Sequence, residues 1–243
     1  MTTAFYTGAS GLVAFQESMN VTGNNIANCN TNGFKAQKTG FSQVLSSMMN
    51  TNYANSTLVG NGVRTVYTGI DPSEAAILAT QGTLDLAISG NGWFGLENKG
   101  QKEYSRDGSF SISVTGSTAY LVNQSGAFVL DSSGKSISSS VDSKTNSIDI
   151  NSMLNKVGVF TFTNPEALTP TTSNSYLANA YTGTATTAPK TDYAILKGYL
   201  EQSDVSIADE MVALITAQRG YQLSARVVQT GDEVEQTINS LRR

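Results

Sequence analysis

The chain has 243 residues. At 39% hydrophobic and 14% charged it falls below the usual globular share of both, with Ser, Thr, Asn and Gly taking up the balance. Its net charge of −4, from 15 basic and 19 acidic residues without a basic cluster, excludes the electrostatic footprint of a nucleic-acid or anionic-membrane binder. There is no histidine, which removes every Ser/His/Asp or Cys/His nucleophile arrangement and the commonest transition-metal ligand. The single Cys29 permits no intrachain disulfide. The expectation is a protein without catalytic residues, cofactor or metal.

Met1 to Phe15 has no basic start, continuous apolar core or small-residue cleavage site, so it does not read as a secretory signal peptide. No apolar run approaches the ~20 residues that a membrane helix needs. From Thr3 to about Asn28, apolar residues recur at helical intervals: Phe5, Ala9, Leu12, Phe15, Met19 and Ile26. Gly8, Gly11 and Gly23 each weaken that helix by about 1 kcal/mol relative to Ala, so it needs a partner face. Asn28-Cys29-Asn30-Thr31-Asn32-Gly33 ends it, since Asn and Gly tolerate left-handed backbone and compete for helical hydrogen bonds. A short second amphipathic piece is expected from Phe34 to Met49.

The middle zone, about Val63 to Tyr199, reads as strands and turns. Leu84–Ile88, Trp93–Leu96, Ala119–Val122 and Val157–Phe162 are short apolar runs, separated by turn signals such as Gly90-Asn91-Gly92, Asp107-Gly108 and Ser132-Ser133-Gly134-Lys135. The Thr/Ser/Ala/Pro-rich stretch from Thr169 to Lys190 is expected to be a long surface loop or arm. From Ser206 to Arg243 helix formers return, with Ser206 and Asp209 as a capping-box-like start. Ile207, Met211, Leu214, Gln218, Tyr221, Ala225 and Val228 follow a 3-4 repeat, and Val227, Gly231, Val234, Ile238 and Leu241 continue it on a shifted register. Such a helix is on the order of 55 Å long. Two arrangements are open: it packs on its own sheet, or it pairs with the first helix. In the second the fold is α+β, a coiled-coil-like pair of terminal helices with a β-rich domain inserted between them.

Several short patterns have bland explanations. Gly90-Asn91-Gly92-Trp93-Phe94-Gly95 matches G-x-G-x-x-G, but β-type residues follow it, so a turn is expected rather than a dinucleotide site. Cys29 has no histidine to activate it and reads as a small buried hydrophobe. Asp204, Asp209 and Glu210 complement a helix start. Asn55-Ser56-Thr57 and Asn123-Gln124-Ser125 match a glycosylation acceptor, yet turn chemistry accounts for the asparagines. Trp93 and Phe94 read as core residues rather than a sugar platform.

Four collinear stretches resemble the flagellar rod and hook protein family. The first is Thr22-Gly23-Asn24-Asn25-Ile26-Ala27-Asn28, leading to Thr31-Asn32-Gly33-Phe34-Lys35, with Cys29 where the family more often has a small or aliphatic residue. The second is Leu84-Asp85-Leu86-Ala87-Ile88 leading to Trp93-Phe94, with Thr83 where the family has proline. The third is Tyr104-Ser105-Arg106-Asp107-Gly108-Ser109-Phe110, followed by Leu121-Val122-Asn123. The fourth is Gly198–Val205 running into Glu210–Tyr221.

The resemblance implies a structural subunit that polymerises helically. Residues 1–62 and 200–243 would form an inner helical domain and residues 63–199 an outer β domain. Its partners would be copies of itself, other rod and hook proteins and the flagellar type III export apparatus, with no nucleic acid and no membrane insertion. It would work outside the cytoplasmic membrane, exported without a cleavable signal. Assembly contacts are expected from Leu12, Phe15, Met19 and Ile26 with Met211, Leu214, Tyr221, Val228, Val234, Ile238 and Leu241, while Asn24, Asn25, Asn28, Gly33 and Phe34 set the turn. Length favours a rod subunit over a hook subunit, with a distal rod position expected and a proximal rod or hook-like role as the alternative. The rival from another class is a secreted β-rich adhesin or carbohydrate-binding module. A carboxylate-only hydrolase is weaker still, because no pair of acids is offered by pattern.

Overall fold

A computed structural model of the chain describes residues 3–45, 47–48, 58–140 and 148–241. In chain order, helix α1 (Thr3–Ala27) is followed by strands β1 (Gln37–Gln43), β2 (Ser47–Met48), β3 (Leu58–Val59) and β4 (Val63–Ile70). Then come β5 (Ile77–Ala79), β6 (Leu86–Gly90), β7 (Trp93–Asn98), β8 (Gln101–Ser105), β9 (Ser111–Thr115) and β10 (Thr118–Val122). β11 (Phe128–Val129) and β12 (Ser138–Ser140) precede a short helix, α2 (Ile150–Leu154), and β13 (Val159–Thr161). The chain finishes with β14 (Thr169–Pro170), β15 (Tyr176–Leu177), β16 (Thr186–Thr187), β17 (Tyr193–Lys197), β18 (Tyr199–Glu201) and helix α3 (Ile207–Leu241).

These elements form two compact units. The helical unit comprises residues 1–27, 37–68 and 206–243, and the β unit residues 28–36 and 69–205. Sequence patterning predicts divisions after 62 and 199; the chain divides after 68 and 205, and the turn following α1 belongs with the β unit.

In the helical unit α1 and α3 pair, the second of the two arrangements left open by the sequence. They run antiparallel. Gly8 lies beside Val227, Gly11 beside Ser224, Gly220 beside the ring of Phe15, and Asn25 hydrogen-bonds Glu210, each pair of numbers adding to 235. Glycine is a poor helix former, so its use needs a compensating contact. Gly8 and Gly11 provide one: a Cβ would come within 2.9 Å of Val228 Cγ2 and 2.8 Å of Ser224 Oγ respectively. A Cβ on Gly220 would overlap the Phe15 ring. The backbones therefore approach closely only because these positions carry no side chain.

Strands β1 and β4 pair in the same unit, and Phe41 of β1 meets Phe15 of α1 at 5.3 Å between ring centroids. This corrects the expected amphipathic piece from Phe34 to Met49. The side-chain amide of Asn25 takes both backbone groups of Gln37, donating from Nδ2 to its carbonyl and accepting its N–H at Oδ1, each at 3.0 Å. That engagement captures the chain as it enters the strand, and no local pattern in residues 34–49 announces it.

The β unit is built on a ten-stranded antiparallel sheet with order β12-β10-β11-β7-β8-β15-β14; β9 adds to β10, and β13 with β16 adds to β7. β7 and β8 form its central hairpin, Phe94 opposite Ser105 through to Asn98 opposite Gln101. β6 pairs with β17, and β18 pairs with β5. Leu86, Ile88, Phe94, Leu96, Leu121, Val129 and Val159 make the principal core, fully buried. Trp93, Tyr104, Leu130, Phe160, Leu168 and Tyr176 make a second cluster. Helix α2, which no sequence pattern announced, caps itself with Asp149 Oδ1 accepting the Ser152 N–H at 3.1 Å and buries Met153 and Leu154.

The stretch from Thr169 to Lys190 is not a free arm. Tyr176 is buried and hydrogen-bonds Lys35, and Asn179 donates to the Ala167 carbonyl at 2.6 Å. A buried aromatic and a satisfied amide hold this polar segment where composition alone suggests a loop. Gly90 to Gly95 runs from the end of β6 through Asn91-Gly92 into β7, with Gly90 at φ +101, and is not a phosphate loop at a helix start. Asn123 Oδ1 accepts three hydrogen bonds of its own turn, from Ser125 N, Ser125 Oγ and Ala127 N. The other acceptor pattern, at Asn55, lies outside the described residues.

Candidate functional site

Two features collect the residues singled out in the sequence: the faces of the helical hairpin and a charged knot where the chain enters and leaves the β unit.

On the hairpin, Leu12, Phe15, Met19, Ile26, Leu214 and Val228 are half-buried. Met211, Tyr221, Val234, Ile238 and Leu241 are exposed. Among the described residues the buried apolar side chains of this unit are Ala14 and Ala217, small residues that a search for large anchors passes over. With Gly8, Gly11, Gly220 and Ser224 they form the actual seam, and the signal that could have found them is glycine and alanine at 3-4 spacing. Helix α3 has 35 residues and α1 has 25. Among the described residues α1 therefore accompanies α3 only as far as the level of Asp232.

The asparagine motif is put to internal use. Asn25 is buried, and besides its two bonds to Gln37 its Nδ2 donates to Glu210 Oε1 at 2.9 Å. Glu210 therefore ties the helices together as well as facing the α3 start. Asn24 is exposed on α1. Asn28 closes the turn: its carbonyl accepts the Thr31 N–H at 3.1 Å and its Oδ1 accepts the Thr31 hydroxyl. Gly33 has φ +65 and its N–H donates to the Glu201 carbonyl at 2.8 Å. A side chain there would run into the Arg106–Asp107 peptide, so two separate demands require glycine. Phe34 is buried, and its carbonyl accepts the Asp204 N–H. Cys29 is half-exposed rather than buried.

The knot was not anticipated. Lys35, Arg106 and Glu201 are all buried charges. Glu201 Oε1 lies 2.6 Å from Lys35 Nζ, and Oε2 lies 3.0 Å from Arg106 Nη1. The Glu201 carboxylate also accepts the Ala75 N–H, Lys35 Nζ donates to the Ser73 carbonyl, and Arg106 donates to the carbonyls of Ile88 and Gly90. The guanidinium carbon stands 5.7 Å from the Trp93 ring centroid. A buried ion pair is tolerated where its donors and acceptors are satisfied; here one carboxylate serves two cations, while Arg106 Nε is buried without a partner. Each residue lies in a different motif of the sequence, after α1, at the end of β8 and in β18, so nothing local links them.

Beside the knot, Asp204 Oδ1 accepts the Ala36 N–H at 2.7 Å, and its Oδ2 is buried without a partner. Burial pushes its carboxyl up to about 6, against the pull of the Ala36 N–H and Lys35, with Asp71 pushing the same way as burial. Asp204 is thus a clamp on the incoming chain rather than a helix-dipole residue. A cleft of about 550 Å³ lies beside Trp93 and Arg106, lined also by Asp71, Glu166 and Asp192. Among the described residues no three His, Cys, Asp or Glu side chains gather as a metal site, and no helix is long and apolar enough to cross a membrane.

Three family patterns match the chain in order. Residues 5–35 match the family described as Flagella basal body rod protein, residues 87–159 the Flagellar hook protein FlgE/F/G D1 domain, and residues 196–241 the Flagellar basal body rod FlgEFG protein C-terminal region. The chain is 32% identical to the flagellar basal-body rod protein FlgG of Bacillus subtilis, over 100% of both chains. It is 32% identical to that of Caulobacter vibrioides, over 98% of this chain and 99% of the other. It is also 26% identical to the flagellar hook-basal body complex protein FlhP of Bacillus subtilis, over 100% of both. The chain belongs to the flagellar basal-body rod protein family.

Proposed function

We propose that this chain is a structural subunit of the flagellar rod that acts by polymerising, without catalysis, and that its distal portion is where it is built in. The observation that carries the reading is where apolar surface is left open. Of the large hydrophobic side chains exposed among the described residues, all but Leu78, Val114, Phe128, Tyr181 and Tyr199 lie in the helical unit. Exposed apolar side chains gathered in one unit are suited to an interaction face, and contacts that do not close into a ring give open helical polymers. In this reading α1 and α3 make the inner, mostly axial contacts through Leu12, Phe15, Met19, Ile26, Met211, Leu214, Tyr221, Val228, Val234, Ile238 and Leu241, and the β unit makes lateral ones. The neighbours are copies of this chain and other rod and hook proteins. The route is the type III export channel, outside the cytoplasmic membrane, for which weakly self-sufficient helices that order on association are suited. Full-length similarity to rod proteins named FlgG supports the rod over the hook.

The test is sedimentation velocity of the purified full chain over a concentration series, with negative-stain electron microscopy of the heavy fraction. Ordered rods or helical protofilaments are expected as concentration rises. A strictly monomeric chain at several hundred micromolar overturns the reading.

A further inference from the structure

The cleft beside Trp93 and Arg106 lies wholly within the β unit, and its volume of about 550 Å³ is that of a small-molecule site. Two glycines let its walls come together. A Cβ on Gly69, at φ +118, would run into the Glu166 carbonyl oxygen, and one on Gly90, at φ +101, into that of Asp192. The backbone of Glu166 is thereby held against the start of the 69–73 segment, and that of Asp192 against the end of β6.

Arg106 lines the cleft and is 2% exposed. Its Nη1 donates to the Ile88 carbonyl and to Glu201, its Nη2 donates to the Gly90 carbonyl, and its Nε–H has no acceptor. A buried donor left unpaired is costly, and an acceptor brought by a ligand removes that cost. The other charged side chains of the lining are all acids: Asp71, Glu166 and Asp192. Arg106 is already paired with Glu201, so the cleft carries an excess of negative charge. Asp71 turns Oδ1 to the N–H and hydroxyl of Ser73, while Glu166 and Asp192 are exposed. These carboxylates do not converge on one point, since among the described residues no three acids gather as a metal site. The lining therefore suits a cation spread over more atoms than a metal ion, together with an uncharged acceptor for Arg106.

We propose that this cleft binds a small organic cation that also carries an uncharged carbonyl, of the class of an amidated basic amino acid. The carbonyl accepts the Arg106 Nε–H, the guanidinium or ammonium lies against Glu166 and Asp192, and Phe162 and Pro165 cover the aliphatic stem. A carboxylate in place of the carbonyl is rejected, because it would bring a fourth negative charge among three. The site belongs to the β unit and does not depend on polymerisation.

The probe is N-acetylarginine amide, titrated into the dilute full chain at constant ionic strength. Trp93, the only tryptophan, lines the cleft and reports occupancy by its fluorescence, and saturation-transfer NMR of the probe reports it independently. Saturable binding with a Kd on the order of 1 mM is expected for a ligand of this size. Acetamide, which lacks the cation, and N-acetylglycine, which is an anion, should each bind about tenfold more weakly or worse. The double variant Glu166→Gln with Asp192→Asn should weaken the probe about tenfold while its urea transition matches wild type, because both side chains are exposed. No saturable binding by either readout up to about 50 mM overturns the site. So does probe binding that the double variant leaves unchanged, or acetamide and N-acetylglycine binding as tightly as the probe.

Discussion

The two units of this chain distribute their apolar residues in opposite ways. The β unit closes its own core: Leu86, Ile88, Phe94, Leu96, Leu121 and Val129 have no solvent exposure, and Trp93–Tyr176 and Phe94–Phe110 pack edge to face at 5.2 and 5.1 Å. Among the described residues the helical unit buries only Ala14 and Ala217 of its hydrophobic side chains, while Met211, Val212, Ile215 and Leu223 are more than half exposed. At about 25 cal/mol per Å² of apolar area, alanines and glycines supply little driving force against the entropy of ordering two long helices. Close backbone approach gives the hairpin a defined register without giving it independence. Buried apolar packing thus resides in the β unit, and the proposed association is assigned to the helical unit.

The sharpest way to break the contrast is Glu201→Ala. It leaves Lys35 and Arg106 buried without their carboxylate, and loss of about 3–5 kcal/mol is expected from such a change. The only tryptophan, Trp93, lies in the β unit and reports its unfolding in urea. Lys35→Met keeps one cation paired with Glu201 and should cost clearly less. Next is Gly33→Ala, where φ +65 and the nearby Arg106 carbonyl both oppose a side chain; about 1–3 kcal/mol of β-unit stability should go, seen in the same transition. Gly220→Ala acts on the other unit. Its methyl meets the Phe15 ring, so far-UV circular dichroism should show reduced helicity while the Trp93 transition stays within about 0.5 kcal/mol of wild type.

The smallest effect concerns acid. The Asp204 carboxyl is raised by burial from 3.8 to about 6. Its folded value lies above its unfolded one, so the stability it contributes is full below 3.8 and is lost as pH rises through about 6. Wild type should therefore lose part of its melting temperature from this group between those values. Asp204→Asn keeps an oxygen for the Ala36 N–H and should show a flatter profile. Asp107, also raised by burial, is present in both proteins and drops out of the difference.

Local periodicity made the helices and the apolar strands legible, because α1 and α3 are long and their 3-4 spacing repeats over many turns. The sequence did not disclose what depends on distant partners. β1 is strand because Asn25, 12 positions away, takes the backbone of Gln37. The segment around Tyr176 and Asn179 looks like a polar loop until Lys35 and Ala167 are found as its partners. Lys35, Arg106 and Glu201 are single charges in three different stretches, and only the fold shows that they meet. In the hairpin the 3-4 repeat drew attention to the large residues, some half-buried and others exposed, whereas the seam itself runs through alanine, glycine and serine.

Hydrogen exchange of the full chain, read by mass spectrometry at low concentration and again in the sedimented polymer, tests the division of labour most directly. Amides of β7 and β8 should be protected in both states, and those of α1 and α3 should exchange quickly in the dilute chain and slowly in the polymer. Equal protection of α1 and α3 in the dilute chain and the polymer would contradict the account, because the helical unit would then be complete without its neighbours.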